Sequence, residues 1–107
     1  MDIGSAVSRA NGVTDAELAA LANHQQSPLF SPCEKLVLDL ASAMSGTPAE
    51  VPDELREALL EYLTPAQFTE VAATVAWENY RARLNRSVGA RAAGFTDGAY
   101  CVVPHRP

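Results

Sequence analysis

Asn79, Arg83 and Asn85 fall within nine residues of one another in the stretch WENYRARLN. Amides and a guanidinium donate planar, directional hydrogen bonds, the kind that orient a carbonyl or hold a carboxylate. Asn79 continues the helical line of Phe68, Val71, Ala72 and Val75, so its amide is expected to face inward and to need partners there. Two uses are open to it. It ties down a neighbouring loop or helix end, with Arg83 bracing a carboxylate, or the two form a polar pocket wall that orients a substrate.

Sulfur offers less. Cys33 and Cys101 are the only cysteines, with no C-x-x-C and no histidine at a ligand spacing, so neither zinc nor a disulfide framework is signalled. As the second residue of a helix, Cys33 feels the positive helix end, which favours a thiolate. It also sits on an apolar stripe, where cysteine packs as a small hydrophobe. The second role is favoured, and Cys33 is at most a minor catalytic candidate. Cys101 lies in the apolar run AYCVV and is expected to be packed. His24, in NHQQ, and His105, in PHRP, are expected in solvent. No metal and no cofactor is implied.

The elements that must position these groups are punctuated clearly. Thr14-Asp15-Ala16-Glu17, Ser31-Pro32-Cys33-Glu34 and Thr64-Pro65-Ala66-Gln67 each read as a capping box. In that motif a hydroxyl and a side-chain carbonyl three residues on satisfy each other's orphan amides. Pro52-Asp53-Glu54 opens a further helix. Over 31–45, Cys33, Leu36, Val37, Leu40, Ala41 and Met44 keep a three/four spacing, and Gly46 is expected to supply a left-handed stop. Over 52–63 the stripe is Leu55, Ala58, Leu59 and Tyr62. Ile3, Ala6, Val7 and Ala10 have helical spacing, closed by Asn11-Gly12, but no cap precedes Asp2. Period-two alternation reaches strand length only in AYCVV, if anywhere. The expected class is all-α, a compact bundle of about five helices.

The last helix carries two apolar faces. Phe68, Val71, Ala72 and Val75 make one, and Ala73, Trp77, Tyr80, Leu84 and Val88 make another on nearly the opposite side. In so small a chain the second face is expected to meet a partner subunit.

Composition narrows the classes. A chain of 107 residues, 48% hydrophobic and 20% charged, fits one globular domain. No apolar run is long enough to span a bilayer or to be a signal sequence, so a cytoplasmic protein without membrane contact is expected. The net charge is −5, with five of the eight bases beyond residue 80. Arg81, Arg83, Arg86 and Arg91 spread around the helix without forming a stripe, and the overall charge repels phosphate. Nucleic acid is not an expected partner.

The order SPCEKLVLDLASAMSGTPAEVPDEL, then TPAQFTEVAATVAWENYRARLNRSVG, resembles the carboxymuconolactone decarboxylase family, which includes the alkylhydroperoxidase D-like proteins. The strongest piece is N-x-x-x-R-x-N (Asn79, Arg83, Asn85) followed by Gly89. The opening DIGSAVSRANGVTDAEL resembles the stretch after the redox motif of those proteins, and GFTDGAYCVVP the tail of one branch. The resemblance implies an all-α domain over 1–94 with a tail over 95–107, assembled as a homo-oligomer, a trimer or hexamer. It implies an antioxidant oxidoreductase in which a C-x-x-C dithiol reduces peroxide and a partner dithiol protein re-reduces it. That motif would fall just before residue 1, and its histidine position falls on Gly4, so Met1 is expected to lie inside a longer natural helix. Two alternatives stand beside this. One is a decarboxylase-like enzyme on a small carboxylated lactone, with Arg83 holding the carboxylate and Asn79 the carbonyl. The other is a non-catalytic oligomeric helical module.

Overall fold

In a computed structural model, residues 10 to 90 are described. They form α1 (Asp15–Ala20), a 3₁₀ segment (Leu21–Gln26), α2 (Pro32–Met44), α3 (Asp53–Tyr62) and α4 (Pro65–Ser87). The all-α class holds, with no strand among the described residues. The first apolar stripe up to Val7, the AYCVV segment, Cys101, His105 and the boundary at 94/95 lie outside them. Contacts divide the chain between Leu29 and Phe30, so that residues 10 to 29 belong to one compact unit and Phe30–Ala90 form another.

All three capping boxes form, and they explain where the helices begin. The Thr14 hydroxyl accepts from the Glu17 amide at 3.1 Å, and Glu17 Oε1 accepts from the Thr14 amide at 3.2 Å. Ser31 and Glu34 do the same at 3.1 and 3.0 Å, and Thr64 and Gln67 at 3.2 and 2.9 Å. Pro32 and Pro65 follow their caps at the first helical turn, where a missing N–H leaves nothing unsatisfied. At α3 the cap is Pro52 itself, with no side-chain bond to a backbone amide. Its carbonyl accepts from Leu55 and Arg56 instead, and Asp53 and Glu54 place negative charge at the positive helix end.

In the smaller unit, α1 runs into the 3₁₀ segment, broken at Asn23 (φ −121°, ψ 35°). Leu18 is its buried side chain. His24, expected in solvent, is half-buried, and its Nδ1 lies 3.1 Å from the Leu21 carbonyl.

Within Phe30–Ala90, α2 packs on α3 and α4, and α3 on α4. Leu40 and Leu59 are its two fully buried side chains. Around them the half-buried stripes are Cys33, Leu36, Val37, Ala41 and Met44 on α2, Leu55 and Ala58 on α3, and Phe68, Val71, Ala72 and Val75 on α4. Those are the expected faces, with two corrections. Tyr62 is not in the α3 stripe but 54% exposed. It is the last helical residue, and the chain turns extended at Leu63 (φ −117°, ψ 143°), so the half-buried Leu63 takes the inward place. Gly46 is not left-handed either. Left-handed backbone occurs at Gly12 (φ 91°) and Gly89 (φ 70°). At the end of α2, Ser45 stays right-handed and its amide donates to Ala41 and Ser42. Its hydroxyl donates to the Ala41 carbonyl at 2.7 Å, so the turn closes with no left-handed residue.

Candidate functional site

The polar groups of α4 reach back to that same turn. Asn79 Nδ2 donates to Ser45 Oγ at 3.2 Å and to the Val75 carbonyl at 3.1 Å. Ser45 passes the bond on to Ala41, so one amide closes a relay from mid-α4 to the last turn of α2. One turn further along, Arg83 Nη2 donates to Thr47 Oγ1 at 3.1 Å. Asn79 and Arg83 are thus brought together, as four-residue spacing on a helix requires. They clasp Ser45 and Thr47, on either side of Gly46.

Each partner bears on the chemistry. Arg83 was expected to brace a carboxylate. It meets a neutral hydroxyl instead, and has no carboxylate partner among the described residues. Its guanidinium is exposed and retains donors for an anion. No buried side-chain nitrogen or oxygen is left unsatisfied among the described residues.

Asn85 is not part of the cluster. It lies about 200° around the helix from Arg83, and its contribution is its backbone. The Asn85 carbonyl accepts from Ala90 at 2.9 Å and the Arg86 carbonyl from Gly89 at 3.3 Å. With Gly89 left-handed, this pair of bonds is a Schellman ending. The N-x-x-x-R-x-N element therefore divides between a clasp and a helix stop.

Cys33 is a free, half-buried thiol at the start of α2. Beside it, Glu34 has its carboxyl held below the ordinary value by hydrogen bonds from the Ser31 backbone and then its side chain. No group of three or more His, Cys, Asp or Glu residues could hold a metal ion among the described residues. Ser45 and Thr47 were not foreseen as partners. Only the hydrogen-bonding demand of an inward Asn79 pointed to such a place, without naming it.

The second face of α4 stands open. Trp77 is 58% exposed, Tyr80 59%, Leu84 48% and Val88 70%. The rings of Trp77 and Tyr80 stack at 5.5 Å with 12° between planes, and Arg81 pairs with Glu78 at 3.1 Å alongside them.

An all-helical unit with a polar clasp on one side of its longest helix and an open apolar face on the other is the class these observations define. No helix among the described residues is long and apolar enough to cross a membrane. The chain is similar to an uncharacterized protein of Escherichia coli (strain K12), YnjA, at 36% identity over 100 residues, 94% of this chain and 52% of that protein. It thus spans about half the length of the curated relative it matches. No family model and no solved structure matches the chain.

Proposed function

We propose that this chain is an oligomerising helical domain of the carboxymuconolactone decarboxylase/alkylhydroperoxidase D-like type, serving thiol-based peroxide reduction. The observation that carries the reading is the two-sided α4. One side packs in the three-helix unit, while Trp77, Tyr80, Leu84 and Val88 line the other in the open. Exposed apolar residues gathered on one helix face mark an interaction surface. The dithiol that peroxide reduction needs is not in this sequence, so the part proposed for these residues is scaffold and assembly. Light scattering on the purified chain tests the assembly. Oligomers at micromolar concentration are expected, and a monomer at every concentration overturns it. Turnover of a hydroperoxide with a dithiol reductant, by a chain extended to carry a C-x-x-C ahead of residue 1, tests the chemistry. Absence of turnover there sinks the peroxidase part.

The exposed Arg83, with a neutral partner only, favours a second reading. It is a decarboxylase-like site for a small carboxylated lactone, with Arg83 on the carboxylate. Arg83→Ala is then expected to weaken binding of small carboxylates in titration calorimetry. Equal binding by both proteins removes this reading.

A further inference from the structure

The chain has four asparagines, and all of them lie among the described residues. Asparagine is a thermolabile side chain. It converts when the backbone nitrogen of the next residue attacks the side-chain amide carbon, so that nitrogen must be able to reach the side chain. Three of the four sites oppose this. Asn79 and Asn85 lie inside α4, where the nitrogens of Tyr80 and Arg86 belong to the helical ladder and the backbone holds them in place. The Asn79 amide is tied down as well, to Ser45 and to the Val75 carbonyl. Asn23 lies in the 3₁₀ segment, and the residue after it is His24, half-buried with its ring against the Leu21 carbonyl. Asn11 is different. It is exposed, it stands in a turn, and the next residue is Gly12. Gly12 has no side chain to shield its nitrogen, and nothing lies within 4 Å of the place where its Cβ would stand. Its φ of 91° marks backbone that glycine adopts freely and other residues rarely do.

We propose that Asn11 is a self-modifying site, which loses its side-chain amide through a cyclic imide formed with Gly12. The Gly12 nitrogen bonds to Asn11 Cγ and gives its proton to solvent base. The Cγ–Nδ2 bond breaks, and the side-chain nitrogen leaves as ammonia. Water, the only co-reactant, then opens the ring, and no electrons are transferred. Cleavage between Cγ and the Gly12 nitrogen leaves an ordinary aspartate. Cleavage between the Asn11 backbone carbonyl carbon and the same nitrogen leaves an isoaspartate, whose main chain runs through the former side chain. Either product carries one more negative charge than the −5 of the sequence. Isoaspartate also adds a methylene to the main chain just ahead of the Thr14–Glu17 capping box, where the chain enters α1. The site depends on neither reading of function above.

The test holds the full chain at mildly alkaline pH and follows its proteolytic peptides by mass and fragmentation over weeks. A synthetic peptide of residues 8 to 15 serves as the unfolded reference. Conversion at Asn11 is expected at a rate within severalfold of that peptide, faster as pH rises, with both aspartate and isoaspartate formed. Asn23, Asn79 and Asn85 are expected to stay intact over the same period. In urea, where the ladder of α4 is gone, Asn79 and Asn85 are expected to convert faster than in the folded chain. Gly12→Ala is expected to slow conversion at least severalfold, and Asn11→Gln to remove the product at that position, with circular dichroism checking that both variants fold. An Asn11 that stays intact in the folded chain while the peptide converts overturns the proposal, because the turn then keeps the Gly12 nitrogen away. Equal conversion at all four asparagines of the folded chain overturns it too, since the fold would then select nothing.

Discussion

Asn79 has two hydrogen-bond partners because its position allows both. The turn below it supplies the Val75 carbonyl, and the neighbouring helix end supplies the Ser45 hydroxyl. Removing the amide loses a part-buried bond to the Val75 carbonyl and an exposed one to Ser45, at a net cost of about 1 kcal/mol. Asn79→Ala is therefore expected to lower the unfolding free energy measured in urea by that much. In a double-mutant cycle with Ser45→Ala, the coupling energy is expected to be about 1 kcal/mol. A coupling near zero would show that the bond contributes nothing. Arg83→Ala, which removes an exposed bond to Thr47, is expected to change stability by less than about 1 kcal/mol. Glu34 gives a pH-dependent term. Its folded-state carboxyl is lowered by the Ser31 bonds, so the native state favours the ionised form. That stability is fully present above the ordinary carboxylate range and is lost as pH falls through the lowered value. Ser31→Ala should thus melt earlier than the parent at pH 7, with a smaller difference in strong acid. An equal difference at both pH values contradicts this.

At the scale of elements, the helix starts were legible because each signal is complete within four residues. Thr64→Ala is expected to cost about 1 kcal/mol of unfolding free energy, since it strips a hydrogen-bonded cap from the longest helix. The α4 ending at Gly89, where φ is 70°, stands in the sequence only as the glycine after the N-x-x-x-R-x-N element. Gly89→Ala has open space for its Cβ, so its cost is the left-handed backbone alone, about 1 kcal/mol. The misreadings came where a local pattern competed with something outside it. Gly46 followed a helix, but the Ser45 amide and hydroxyl had already closed the turn. Tyr62 kept the stripe spacing, but the helix stopped at it. Asn79 could be assigned inward from its spacing, yet its partner lies 34 positions away, and no periodicity links the two. Arg83 and Asn85 looked like one motif because they are close in sequence. About 200° of helix rotation separates their side chains.

The three-helix unit rests on few deeply buried side chains. Leu59→Ala, at the fully buried α3 position, is expected to cost about 2–5 kcal/mol, a large share of the 5–15 kcal/mol typical of small domains. Chemical denaturation of the variant checks this, and a cost under 1 kcal/mol would mean that the site collapses to refill the space. A large apolar area meanwhile remains outside, on α4. If that face is covered by another copy, stability rises with protein concentration, because association draws on the folded form alone. The two-sided helix was legible from spacing, since both stripes repeat at helical period. The inward stripe is the expected one too, with Phe68, Val71, Ala72 and Val75 half-buried and Trp77, Tyr80, Leu84 and Val88 in the open.

The chain has a single tryptophan, and it is Trp77, on the open face and stacked on Tyr80. Its fluorescence therefore reports the environment of that face rather than the core. Unfolding an isolated chain moves the indole from largely wet to fully wet, a small change in emission. Covering the face dries it and shifts the emission to shorter wavelength. Helix content followed by circular dichroism and indole emission followed by fluorescence thus separate folding from association, with no label attached.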